Sequence, residues 1–198
     1  SIPWRRMMMS STDYETTEQQ HKDLCEPFKQ SELEWRVQRS GMSQGGKPWA
    51  MVLCYVQSRA VMDRLDAVFG PSMWEDSYEI VTVHQERDGQ IAPIDGVQCR
   101  IRVKYVDGNT VVKSDVSQVT DIEPMKGGYS GAIKRTGVKF GIGRYLYELP
   151  STFADLRDSK AGMRNPNTVK INGKTYYWAN PDIPNKFKRE SERIYNPF

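Results

Sequence analysis

Gly41, Gly46 and Lys47 in the stretch GMSQGGKP stand at the spacing of a phosphate-cradling loop, G-x-x-x-x-G-K-[ST]. In such a loop the backbone amides and the lysine hold nucleotide phosphates. The chemistry fails one residue later. Pro48 stands where a hydroxyl should hold magnesium, and it lacks an amide donor. The setting is reversed too, because a phosphate loop needs a strand before it and a helix after it. Here Ser31 and Glu34 have the spacing of a capping box. That predicts a short helix ending at Gly41, with Leu33 and Val37 on one side. The apolar run 49–56 then reads as a buried strand.

Other catalytic patterns are equally incomplete. Gly137–Gly143 reads GVKFGIG but has neither the G-x-G-x-x-G spacing nor a preceding strand, so its glycines are expected to serve packing. His84 has no evident Ser or Cys partner, and Asp63 with Asp66 fit the wet side of a helix. A metal-dependent nuclease needs clustered carboxylates, and the basic segments carry few. Cys25, Cys54 and Cys99 are odd in number and widely spaced, and with His21 and His84 they form no recognisable zinc site. Ordinary reduced thiols, no cofactor, no metal and a non-catalytic protein are the expectation.

Cations without catalytic partners point to binding. Residues 126–198 hold 14 Lys and Arg against 6 Asp and Glu, whereas residues 1–125 hold 14 against 19. A basic second part suits an acidic partner, nucleic acid first among them. Two rows carry the signal. Arg100, Arg102 and Lys104 alternate with Val97, Cys99, Ile101, Val103 and Tyr105, so one face of a strand is apolar and the other cationic. Lys126, Ser130 and Lys134 fall at i, i+4 and i+8 along one edge of a helix. Lys134, Arg135, Val138 and Lys139 lie opposite Tyr129, Ala132, Ile133, Thr136, Gly137 and Phe140 at about 100° per residue. Either row alone is equally an ordinary solvated surface. Together they favour a groove in which Lys and Arg contact phosphates. Tyr105, Tyr129 and Tyr145 are candidates for base stacking or for the core and interfaces.

The elements that must position these residues are legible in outline. Residues 12–22 lack apolar periodicity and are expected to be mobile. A helix is predicted over 58–69, with Val61, Leu65, Val68 and Phe69 on one side, ended by Gly70-Pro71. Three strands follow, over about 77–85, 97–106 and 110–119, with turns at Asp88-Gly89 and Asp107-Gly108-Asn109. A helix begins after Pro124, rich in glycines that imply close approach, and Gly141 and Gly143 end or kink it. Asn172-Gly173 marks a hairpin within 168–178, and residues 180–198 read as an extended basic tail. The composition, 38% hydrophobic and 27% charged, is that of a soluble globular protein. No apolar run is long enough for a bilayer and no signal-peptide pattern leads the chain, so no membrane role and an intracellular location are expected.

The segment YVQSRAVMDRLDAVFGPSMW, three strands, and then KGGYSGAIKRTGVKFGIGRYLYEL resemble the annealing domain of the Rad-fifty-two family of recombination mediators, most of all its phage and bacterial single-strand annealing members. The resemblance implies an α+β fold, a curved antiparallel β-meander packed against a long helix, assembled into oligomeric rings. The resemblance covers about residues 32–156, and with the polar start and loop-rich end three parts are expected: a mobile N-terminal segment (1–30), the annealing domain (31–156), and a loop-rich extension with a hairpin and basic tail (157–198). It also implies ATP-independent binding of single-stranded DNA and annealing of complementary strands in recombination and DNA repair. The alternative is an RNA-binding or RNA-annealing module. By the resemblance, Lys134 and Arg135 match groove residues, and Lys126 and Ser130 match groove-facing positions. The family's groove arginine falls on Ala60, with Arg59 adjacent as the substitute. A later basic position is Val138, with Lys139 beside it. A second, outer DNA site would draw on Arg100, Arg102 and Lys104, although one of its lysines falls on Val106. Expected partners are single-stranded DNA, further copies of the chain, and a single-strand-binding protein or nuclease. A phage origin would place it in the bacterial cytoplasm.

Overall fold

In the computed structural model, which describes residues 13–119 and 124–195 (124–126 as backbone alone), the elements run α1 (Thr17–Leu24), β1 (Leu33–Met42), β2 (Pro48–Val56), α2 (Ser58–Phe69), β3 (Trp74–Arg87), β4 (Gln90–Lys104), β5 (Thr110–Gln118), α3 (Pro124–Lys139), β6 (Thr152–Phe153), β7 (Asn167–Ile171) and β8 (Lys174–Trp178). They form two units. One takes the described residues of Ser1–Glu26 and Gln57–Arg144, the other those of Pro27–Val56 and Tyr145–Phe198. The expected division into 31–156 and 157–198 does not follow these boundaries.

The first unit is a β3-β4-β5 antiparallel meander with α3 against β4 and β5. The three expected strands are present, and β3 and β4 are longer than predicted. Their turn has Asp88 at φ 54° and Gly89 at φ 76°. Two successive positive φ values give the turn whose twist matches paired strands. The alternation on β4 is realised in full: Val97, Cys99, Ile101 and Val103 are buried, while Arg100, Arg102 and Lys104 are exposed. Helix α3 covers the apolar face with Ala132, Ile133, Thr136 and Phe140. The Thr136 hydroxyl is shared between Ala132 O (2.8 Å) and Cys99 O (3.2 Å), which ties α3 to β4. The α3 glycines permit this approach: a Cβ on Gly128 would stand 2.8 Å from Val97 Cγ2, and one on Gly131 would strike Ser117 Oγ.

Helix α2 buries Val61, Leu65, Val68 and Phe69, as its period requires. Residues 13–24 differ from expectation. They are polar, yet Thr16 and Gln19 form a reciprocal capping box that starts α1. Leu24 is fully buried, Gln20 donates to Val68 O (3.3 Å), and its Oε1 accepts from the Val106 N–H (2.9 Å). Buried Arg64 donates from Nη1 to Asp23 O, Leu24 O and Glu26 O at 2.8–3.1 Å, holding the end of α1. Of the rest of the expected mobile segment, residues 25–30 include the buried Phe28, and residues 1–12 lie outside the described residues.

The second unit holds the sheet β1-β2-β6 and the hairpin β7-β8. The helix expected from Ser31 to Gly41 is instead strand β1, paired antiparallel with β2. Leu33, Trp35 and Val37 repeat at period two, and Glu34 and Arg36 on the other face form an ion pair (2.7 Å). Pairing with β2 outweighs the local capping signal; Glu32 instead accepts from the Lys29 N–H (2.8 Å) in a short 3₁₀ turn. The Gly45-Gly46-Lys47 loop therefore joins two strands, closed by Ser43 N–H to Lys47 O (2.8 Å). The hairpin turn Asn172-Gly173 has φ 48° and 82°, as its sequence predicts. Residues 180–195 are not an extended tail: Ile183, Phe187 and Lys188 are buried, with Lys188 Nζ 2.9 Å from Asp182 Oδ1. All three cysteines are free, and burial pushes the Cys54 thiol up to about 12.

Candidate nucleic-acid interface

The candidate cations divide by the two faces of the β3-β4-β5 sheet. On the open face, antiparallel register sets Arg100 between Ser77 and Ser114, Arg102 between Glu75 and Val112, and Lys104 beside Thr110. The row is thus flanked by hydroxyls and by a carboxylate. Arg102 Nε lies 3.3 Å from Glu75 Oε1, both well exposed. A surface pair of this kind is weak and leaves Arg102 able to exchange partners. Arg102 and Lys104 also line a shallow cleft of about 230 Å³ with Met73, Trp74 and Thr110. The Trp74 indole N–H donates to Asp66 Oδ1 (2.7 Å), fixing the ring.

On the helix face, Lys134 is half-buried and Arg135 and Lys139 are exposed. Arg135 and Lys139 lean toward β5. Arg135 Nε is 3.6 Å from Asp115 Oδ1, and Lys139 Nζ donates to Ser114 O (2.5 Å). At about 100° per residue, Ser130 and Lys134 follow the edge of α3 turned away from those contacts. Val61 of α2 marks that flank: a Cβ on Gly137 would lie 3.0 Å from Val61 Cγ1. Lys126 belongs to the first turn of α3, and its side chain lies outside the described residues. At the start of α2, Arg59 is exposed whereas Ala60 is 4% exposed. The substitute arginine therefore reaches solvent at a position where Ala60 faces the core.

Helix α3 ends in a defined way. Gly141 has φ 96°, Ile142 N–H donates to Gly137 O and Gly141 N–H to Val138 O, both at 3.0 Å. This double closure is the Schellman arrangement, which glycine favours. The remaining carbonyl, Lys139 O, accepts from Lys113 Nζ (2.8 Å) and Arg144 Nη2 (3.0 Å), and Arg144 Nε donates to Val138 O (2.9 Å). Neither Lys113 nor Arg144 was among the residues expected at the site. Lys113 is on β5's helix-side face, opposite Ile101, and its register could have suggested it.

The tyrosines considered for stacking are used in packing. Tyr105 meets Phe69 and His21 edge to face at 5.1 Å, Tyr129 lies 4.8 Å from Tyr78, and Tyr145 stacks on Phe187 while its hydroxyl accepts from Phe28 N–H (2.9 Å). Burial first, then the hydrogen bond to Asp76, holds Tyr78 far above the usual phenol range. Cys99 is also raised, chiefly by burial. Neither offers an activated nucleophile. Among the described residues no three His, Cys, Asp or Glu are grouped to hold a metal ion. No helix there is long and apolar enough to cross a membrane.

Comparison with known proteins matches this architecture to a described family. The sequence profile of the Rad52/22 family double-strand break repair protein matches residues 16–164, from α1 past α3. The single-stranded DNA-binding protein DdrA of Deinococcus radiodurans is 32% identical over 163 residues, which is 81% of this chain and 67% of that protein. DdrA of Deinococcus deserti is 31% identical over 163 residues, 81% of this chain and 70% of the relative. With three-quarters of its length inside the profile, the chain belongs to the Rad52/22 family.

Proposed function

We propose that this chain binds single-stranded DNA and anneals complementary strands in double-strand break repair and recombination, without consuming a nucleotide. The observation that carries the reading is the family match, which spans the meander and the cationic helix together. Both Deinococcus relatives are single-stranded DNA-binding proteins, which supplies the ligand. The exposed cations of α3 and the open-face row supply the chemistry. Cations offset repulsion between two phosphate backbones, and base pairing provides the specificity and the driving free energy.

In this reading Ser130, Lys134, Arg135 and Lys139, with Lys126 and Arg59, hold the first strand. Arg100, Arg102 and Lys104 form a second contact surface on the opposite face of the sheet. Copies of the chain assemble into a ring that holds the strand extended, a single-strand-binding protein or nuclease delivers the DNA, and the protein acts inside the cell. It has no catalytic site of its own. Fluorescence anisotropy with a labelled oligothymidylate and a matched duplex, across a salt series, tests the reading. Tighter binding to the single strand, weakening linearly with log salt, is expected. Absence of binding at low salt would refute it.

A further inference from the structure

The carbonyl end of α3 carries more positive charge than a helix terminus needs. Lys113 Nζ and Arg144 Nη2 share Lys139 O, so their separation cannot exceed the sum of 2.8 and 3.0 Å. Lys139 Nζ is anchored nearby on Ser114 O, and Arg144 Nε on Val138 O. Lys113 also sits over the Phe140 ring, with Nζ 5.2 Å from its centroid. Every hydrogen-bond acceptor named is a neutral carbonyl, so these hydrogen bonds cancel none of the three charges. The helix dipole contributes only about half a negative charge at this end, against three full positive ones. Asp115, the carboxylate on this rim, is engaged by Arg135.

The donors are not exhausted. Each lysine ammonium has three N–H groups and the guanidinium five. The hydrogen bonds above use one of each lysine's and two of the arginine's. Anchoring also fixes long side chains in advance, which lowers the entropy lost on binding an anion. We propose that Lys113, Lys139 and Arg144 form a phosphate-binding station for a polynucleotide strand at the carbonyl end of α3, on the β5 rim of the sheet. The station rests on the single-stranded DNA reading. It adds Lys113 and Arg144, one from a strand and one from beyond the helix, to the contacts that α3 itself supplies.

The bland alternative is that these side chains only cap the helix. Glutamine separates the two, because its amide can still donate to a carbonyl while carrying no charge. The full-length double variant Lys113→Gln/Arg144→Gln and the charge-keeping Lys113→Arg/Arg144→Lys are compared with the unaltered protein by oligothymidylate anisotropy over a salt series. Each lost phosphate contact removes about 0.7 from the slope of log K against log salt for single strands. The glutamine pair should lose about 1.4 of slope and bind on the order of tenfold more weakly at ~0.1 M salt, while the charge-keeping pair retains the slope. An unchanged slope in the glutamine pair would overturn the station. Equal loss in both pairs would also overturn it, showing that geometry and not charge matters. If the unaltered protein fails to bind, the underlying single-stranded DNA reading falls instead.

Discussion

Arg135 shows how one neighbour sets what a cation can do. Its guanidinium reaches Asp115, and both groups are accessible to solvent. Such a pair is worth roughly 0.2–1 kcal/mol, so a phosphate can replace the carboxylate at small cost. Asp115→Asn removes the competitor while keeping an oxygen for the Val116 N–H that Asp115 Oδ1 now accepts (2.7 Å). Oligothymidylate affinity should rise, by up to about fivefold at low salt, with the thermal midpoint little changed. A fall in affinity would mean that Asp115 orients Arg135 for the strand and does not compete with it. Residue chemistry of this kind was only half legible. Side-chain types and helical period gave Lys134, Arg135 and Lys139 their solvent-facing side, but β5 brings Asp115, Ser114 and Lys113 to α3 from about twenty residues upstream, a distance no spacing rule spans.

At the scale of elements, α3 lies where its glycines let it lie. Alanine is the better helix former by about 0.5–1 kcal/mol, so on an isolated helix Gly128→Ala would stabilise. In the folded unit the new methyl would meet Val97 Cγ2 at 2.8 Å, on a buried β-branched side chain with little freedom to move. Overpacking of that kind costs about 1–3 kcal/mol. Net destabilisation of roughly 1–2 kcal/mol is expected in urea titrations; stabilisation would show that α3 is not held against β4 at this point. The period-two pattern of β4, the Asp88-Gly89 turn, the α2 stripe and the Gly141 terminus were all readable, because each is fixed by its own residues. Two elements were misread for opposite reasons. In β1 a local capping signal was overruled by pairing with β2, and α1, too polar for an apolar stripe, is held by the Thr16–Gln19 box and by Arg64.

For the whole chain, membership of the Rad52/22 family was legible because two helical signatures flank a meander in fixed order, and the profile match covers all three. The units were less so. Residues 27–56 join residues 145–198 across the intervening sequence, and the basic C-terminal stretch folds back to bury Ile183, Phe187 and Lys188. Contacts between segments so far apart leave no periodic trace. Residues 126–144 hold five Lys and Arg and no Asp or Glu, against nine and six in residues 145–198, so most of the basic excess lies on and just after α3 and the rest in the second unit. The proposal that the α3 cations hold one strand while base pairing does the work has a direct test. The rate at which complementary oligonucleotides pair is measured without nucleotide or metal, for the unaltered protein and for Lys134→Ala/Arg135→Ala. The unaltered chain should accelerate pairing above the spontaneous rate, and the double variant should lose most of that acceleration. Pairing no faster than the protein-free control would contradict the account.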